Sequence, residues 1–193
     1  MKDAFLLLDS SYLYRSNADV SALSYKKARK NPESFIKKVN RLIQASNKDN
    51  EYYFNIKKLQ KAGFIKELIT YETMNKYAIE DTTLSLKLFG TIPTDLNLFI
   101  ANRAEYTWTL WNEEIAPSIF YKAALIIHNS QNIVIDENFT KLSVGKQLLK
   151  YVSSASKITI LGNNHSYDLN INTLILKNVS PAEYINQLFT QIN

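Results

Sequence analysis

Ser143-Val144-Gly145-Lys146-Gln147-Leu148-Leu149, Ile158-Thr159-Ile160-Leu161, Thr173-Leu174-Ile175-Leu176 and Ser180-Pro181-Ala182-Glu183 follow one another in the last third of the chain. Ser143 opens a helix whose apolar face is Val144, Leu148, Leu149 and Val152. Two short apolar runs then read as strands. Ser180 caps a last helix, with Pro181 first and Glu183 in the capping-box position, and Tyr184, Ile185, Leu188, Phe189 and Ile192 as its apolar face. Helix, strand, strand, helix, with strands apolar on both sides, is α/β patterning around a parallel sheet.

Working outward, Phe5-Leu6-Leu7-Leu8 is a buried strand ended by Asp9, and Ile133 to Ile135 is another, ended by Asp136 and Glu137. Asn31 is an N-cap with Pro32 at the first helical position, ahead of Phe35, Ile36, Val39, Leu42 and Ile43 at helical spacing. Asn47 to Asn50 is a turn. A second helix is expected over Ile56 to Ala62, with Gly63 as its left-handed stop, then a strand from Phe64 to Tyr71. Thr82 to Phe89 alternates as a half-buried or edge strand. Ala123 to Ile127 reads as a strand, or as a helix continuing from Tyr121. The aromatic middle segment is less regular, and its helix with Trp108 and Trp111, read as core residues, is expected to end before Pro117. The expected fold is thus α/β and Rossmann-like, a mainly parallel sheet flanked by helices. It forms one domain over residues 1–193, with room for an inserted lobe at about 67–122.

Composition narrows function. The 193 residues are 46% hydrophobic and 21% charged, as in ordinary globular proteins. There is no cysteine, which excludes disulfides, thiolate metal sites and thiol nucleophiles. Only four glycines occur, no two within ten residues, so a phosphate-cradling glycine loop is not expected. The apolar run before Asp9 is too short for a signal core or a membrane span, and a cytoplasmic location without membrane contact is expected.

Residues 1–66 hold 14 Lys and Arg against 6 Asp and Glu, a net +8, whereas the remainder is net −3. The cations Lys37, Lys38, Arg41, Lys57, Lys58 and Lys61 fall on helical faces and are candidates to bind nucleic acid or an acidic protein. Drift in an AT-rich genome also explains the bias, because 19 of the 23 basic residues are lysines. The stretch Asn55 to Ile65 further resembles the recognition helix and first wing strand of winged-helix DNA-binding domains. His128 and His165 lie far apart in sequence, His165 is read as a solvated loop histidine, and no nucleophile elbow supports a serine triad.

The opening Leu6-Leu7-Leu8-Asp9-Ser10-Ser11-Tyr12-Leu13 resembles the first strand of PIN-domain and NYN nucleases. Leu142 to Leu149, Ile158 to Asn164 and Val179 to Ile185 are similar to that family's late helix, strand and closing helix. The resemblance covers about a third of the chain, at its two ends. It implies a divalent-metal ribonuclease, using Mg²⁺ or Mn²⁺ held by Asp9 with Asp136 and Asp168. Where the family carries two further acids, this chain has Gly145 or Lys146, and Asn163. The reading that follows is a degenerate PIN-like fold without catalysis or cofactor, a binding module in a protein assembly. The metal-dependent ribonuclease is the alternative, and a winged-helix regulator the third.

Overall fold

The computed structural model describes residues 4–10, 30–34, 37, 50–71, 85–88, 115, 117–141, 143–163 and 172–191. Six strands form one sheet: β1 (Phe5–Asp9), β2 (Ile65–Thr70), β3 (Ser85–Lys87), β4 (Asn132–Asp136), β5 (Lys157–Leu161) and β6 (Thr173–Lys177). Every neighbouring pair is parallel, and the order is β3-β2-β1-β4-β5-β6. This is the doubly wound Rossmann order, and the expected α/β class is what the structure shows.

Four helices complete the described elements: α1 (Asn50–Lys61), α2 (Pro117–Asn129), α3 (Ser143–Leu149) and α4 (Pro181–Phe189), with a 3₁₀ turn at Glu137–Lys141. From β1 the chain steps one way to β2 and β3, then returns past β1 to β4, β5 and β6. Right-handed crossovers in opposite directions put α1 on one face and α2 and α3 on the other. On the first face α1 meets α4 through Asn55 Nδ2, which donates to Asn186 Oδ1 at 2.9 Å. Phe5 of β1 lies against Tyr184 of α4, ring centroids 6.3 Å apart. β1 is buried from end to end, as a central strand covered on both faces must be.

Local chemistry explains the boundaries. α1 ends in a Schellman turn: Gly63 N donates to Gln60 O at 3.0 Å and Phe64 N to Leu59 O at 2.9 Å, with Gly63 at φ 77°. α4 begins at Ser180, whose hydroxyl accepts from Glu183 N at 3.2 Å, with Pro181 first. The Asn31 cap is present too, its side chain accepting from Ser34 N at 3.0 Å.

Three expectations need correction. α1 starts at Asn50, six residues before Ile56, because Tyr52 and Tyr53 also turn inward. Ala123 to Ile127 is helical, within α2, which Pro117 opens; proline suits the first turn, whose N–H groups lack partners in any case. Ser85, Leu86 and Lys87 are all buried, so β3 is not half-exposed, and of the two expectations for this strand the edge holds, because β3 ends the sheet order. Of the range expected to hold an inserted lobe, residues 67–70, 85–87 and 117–122 belong to β2, β3 and α2. Trp108, Trp111, His165 and the turn at 47–49 lie outside the described residues. Among the described residues, no helix is long and apolar enough to cross a membrane.

Candidate functional site

In a doubly wound sheet, ligands bind beyond the carboxyl ends of the strands where the winding reverses. Here that point lies between β1 and β4. Pairing of Leu8 with Ile135 makes Asp9 and Asp136, the last residues of the two strands, the next neighbours across it. In register outward from Asp9 come Thr70 on β2 and Lys87 on β3; outward from Asp136 come Leu161 and Lys177. Asp9, Ser10, Thr70, Lys87 and Asp136 are all buried along this one edge. Burying such groups is costly unless hydrogen bonds replace water, so their partners define the site.

Asp9 is fully enclosed. Its Oδ1 accepts from the Tyr52 hydroxyl at 2.8 Å, and its Oδ2 from the Thr70 hydroxyl at 2.7 Å and the Tyr53 hydroxyl at 3.3 Å. Tyr52 and Tyr53 are successive residues in the first turn of α1, with rings edge to face at 5.1 Å, so one helical turn and one neighbouring strand supply these donors.

Asp136 faces the other way. Its Oδ2 accepts from the Ser10 hydroxyl and from Ser10 N at 3.3 Å, and its Oδ1 from Asn138 N at 3.1 Å and Asn138 Nδ2 at 3.3 Å. Burial pushes its pKa from 3.8 to about 6, the charge of Asp9 adds to the rise, and the hydrogen bonds from Ser10 and Asn138 oppose it. Beyond Asn138, the Tyr71 hydroxyl donates to Phe139 O at 2.6 Å, and the two rings stack at 4.6 Å. Gly145 of α3 sits against that carbonyl and hydroxyl so closely that a Cβ would overlap both.

The structure therefore brings Asp9 and Asp136 together; Asp168 lies outside the described residues. Every oxygen of the two carboxylates already accepts a hydrogen bond, and no group of three or more His, Asp or Glu among the described residues could hold a metal ion. At the positions where the nuclease pattern has acids, Gly145 is buried, and Lys146 and Asn163 are exposed. Lys37, Lys57, Lys58 and Lys61 are exposed, with Lys58 Nζ 5.3 Å above the Phe54 ring, while Lys38 and Arg41 are outside the described residues. α1 is a crossover helix and β2 is an interior strand, so Asn55 to Ile65 is not a winged helix. His128 is exposed, with Nδ1 3.3 Å from Tyr151 O.

No family model and no curated protein sequence matches the chain. Solved structures of Sir2 enzymes match it along nearly its whole length. Sir2Tm bound to a propionylated peptide gives a TM-score of 0.69 at 12% identity, covering 97% of this chain and 92% of that one. A Sir2 complex with a p53 peptide and NAD+ gives 0.67 at 14% identity, with the same coverage. A Sir2 variant with deacetylated p53 peptide and 3′-O-acetyl-ADP-ribose gives 0.63 at 11% identity, covering 97% and 93%. At such identity the likeness establishes the fold.

These neighbours overturn the PIN/NYN resemblance, whose short terminal motifs any parallel α/β sheet can supply. The degenerate, non-catalytic module falls with it. So does the ribonuclease that would place Mg²⁺ or Mn²⁺ on Asp9, Asp136 and Asp168. The expectation of no cofactor is corrected as well, since the same fold carries NAD+ in a solved neighbour, and nothing in these comparisons supports nucleic acid as the partner.

Proposed function

We propose that the chain is an NAD+-linked deacylase of the sirtuin fold, acting on an acylated peptide. The observation that carries this reading is the pair of carboxylates, Asp9 and Asp136, at the β1–β4 switch point of a sheet that superposes on Sir2 enzymes over nearly its whole length. When bound, NAD+ supplies the ADP-ribosyl group that receives the acyl group, as the acetyl-ADP-ribose in one neighbour implies.

The two carboxylates lie where the ribosyl end of such a ligand would approach a doubly wound sheet. Both are buried and already accept hydrogen bonds on every oxygen, so a ribose hydroxyl would reach them by replacing one of those donors. Asp9 and Asp136 also favour the positive charge that develops on a ribosyl ring as its glycosidic bond breaks, as paired acids do in glycoside cleavage. Tyr52, Tyr53 and Thr70 hold Asp9 in place, so its orientation is set before a ligand arrives.

In this reading residues 1–193 act as one cytoplasmic domain. The partner is a protein, and the cations Lys37, Lys38, Arg41, Lys57, Lys58 and Lys61 favour an acidic one. The test is incubation with a propionylated peptide, with and without NAD+, read by mass spectrometry. Loss of the propionyl group and release of nicotinamide only with NAD+ is the expected result. An untouched peptide together with no calorimetric binding of NAD+ overturns the reading.

A further inference from the structure

A dinucleotide in a doubly wound sheet rests its diphosphate on the backbone N–H groups of the first strand-to-helix turn. In this chain no glycine precedes Gly63, so the approach to that turn is not eased by missing side chains. The first donors beyond β1, the N–H and the hydroxyl of Ser10, already point to an anion, and that anion is internal: Asp136 Oδ2. Asp136 is itself buried and held on its other oxygen by Asn138, so the carboxylate is fixed on the spot.

We propose that Asp136 is the specificity-determining residue of the switch point: its carboxylate takes the Ser10 donors in place of a ligand phosphate, so that a diphosphate-bearing ligand binds only by displacing it. The proposal rests on the NAD+ reading above and sharpens it. Two consequences separate it from a structural role for Asp136. The barrier acts on the charge of the ligand, because a phosphate close to a buried carboxylate is repelled whatever the fit of the rest. Ligands with a ribosyl end and no phosphate are not opposed.

The experiment compares wild type with Asp136→Asn and Asp136→Ala by calorimetry, using ADP-ribose and nicotinamide riboside as probes. Asp136→Asn keeps the shape and removes the charge; Asp136→Ala frees both Ser10 donors. ADP-ribose is expected to bind at least about tenfold more tightly to Asp136→Asn than to wild type, the scale of a like-charge contact at a partly screened site. Nicotinamide riboside is expected to change by less than about twofold. Equal gains for both probes, or no gain for ADP-ribose in either variant while wild type still binds NAD+, overturns the role of Asp136 and leaves the deacylase reading standing. If no form, wild type included, binds NAD+ or ADP-ribose, the deacylase reading fails and takes this proposal with it. Should Asp136→Asn misfold by circular dichroism, the Asp136→Ala comparison decides alone.

Discussion

Asp136, the last residue of β4, reaches across the switch point to Ser10, one residue beyond β1, and accepts from its hydroxyl and, at 3.3 Å, from its backbone N–H. The contact joins residues 126 positions apart and closes the sheet where its winding reverses. It couples a titrating group directly to the fold.

Burial holds the folded-state pKa of Asp136 near 6 against an ordinary 3.8. A raised carboxylate pKa means that the folded chain binds the proton more tightly than the unfolded one. Between about pH 4 and 6 the folded state therefore carries more protons, and stability falls as pH rises through that window. The loss amounts to at most about 3 kcal/mol for this group. Urea denaturation of wild type and Asp136→Asn from pH 4 to 7 should show a shallower decline in the variant; parallel curves would contradict the assignment.

Among the described residues, three hydroxyls donate to Asp9. Thr70→Val keeps the shape of the side chain and removes one charge-assisted donor, which should cost about 1.5–3 kcal/mol. Asp9→Ala removes the acceptor that the hydroxyls of Tyr52, Tyr53 and Thr70 share and should cost more than Thr70→Val, on the order of 3 kcal/mol or above. Chemical denaturation measures both, and a smaller loss for Asp9→Ala would show that the cluster is not organised around the carboxylate.

Gly145 sets how close α3 lies to the turn after β4. A methyl group there meets the Phe139 carbonyl and the Tyr71 hydroxyl, both backed by the stacked rings of those residues. Gly145→Ala should destabilise the fold by about 1–3 kcal/mol or more, as over-packing does. Tyr71→Phe, which removes the hydroxyl that donates to Phe139 O, should cost about 1 kcal/mol. Because the two sites touch, the double variant should lose less than the sum, since removing the hydroxyl relieves part of the overlap. Strict additivity in thermal melts would contradict the contact.

The sheet was largely legible because its strands are short apolar runs with sharp ends: Phe5–Asp9, Asn132–Asp136 and Lys157–Leu161 are recognisable without any partner. The capped helices were legible for a local reason too, since Asn31 and Ser180 satisfy their own backbone donors within three residues. α2 was ambiguous because Ala123, Ala124 and Ile127 turn in while Tyr121 and Leu125 stay exposed; a short run that is apolar on both sides of a helix has no period to read. Of the site, Asp9 and Asp136 could be picked out as acids at strand ends. Their partners could not, because Tyr52 and Thr70 lie 43 and 61 positions from Asp9, and only the strand order brings them there. The tyrosine pair was the missed signal: two adjacent phenols in the first turns of a crossover helix point at the strand end before them.

The same dependence on strand order explains why the terminal motifs misled. An apolar strand closing in Asp and a late helix–strand–helix run belong to many parallel sheets, and only the full order and the whole-chain superposition separate one family from another.

The most direct test of the account is a crystal structure of the protein grown with NAD+. The expected result is density for the ligand between the ends of β1 and β4, with its ribosyl ring beside Asp9 and the Asp136–Ser10 contact opened. NAD+ seated away from that switch point, with Asp136 still holding Ser10, would contradict it.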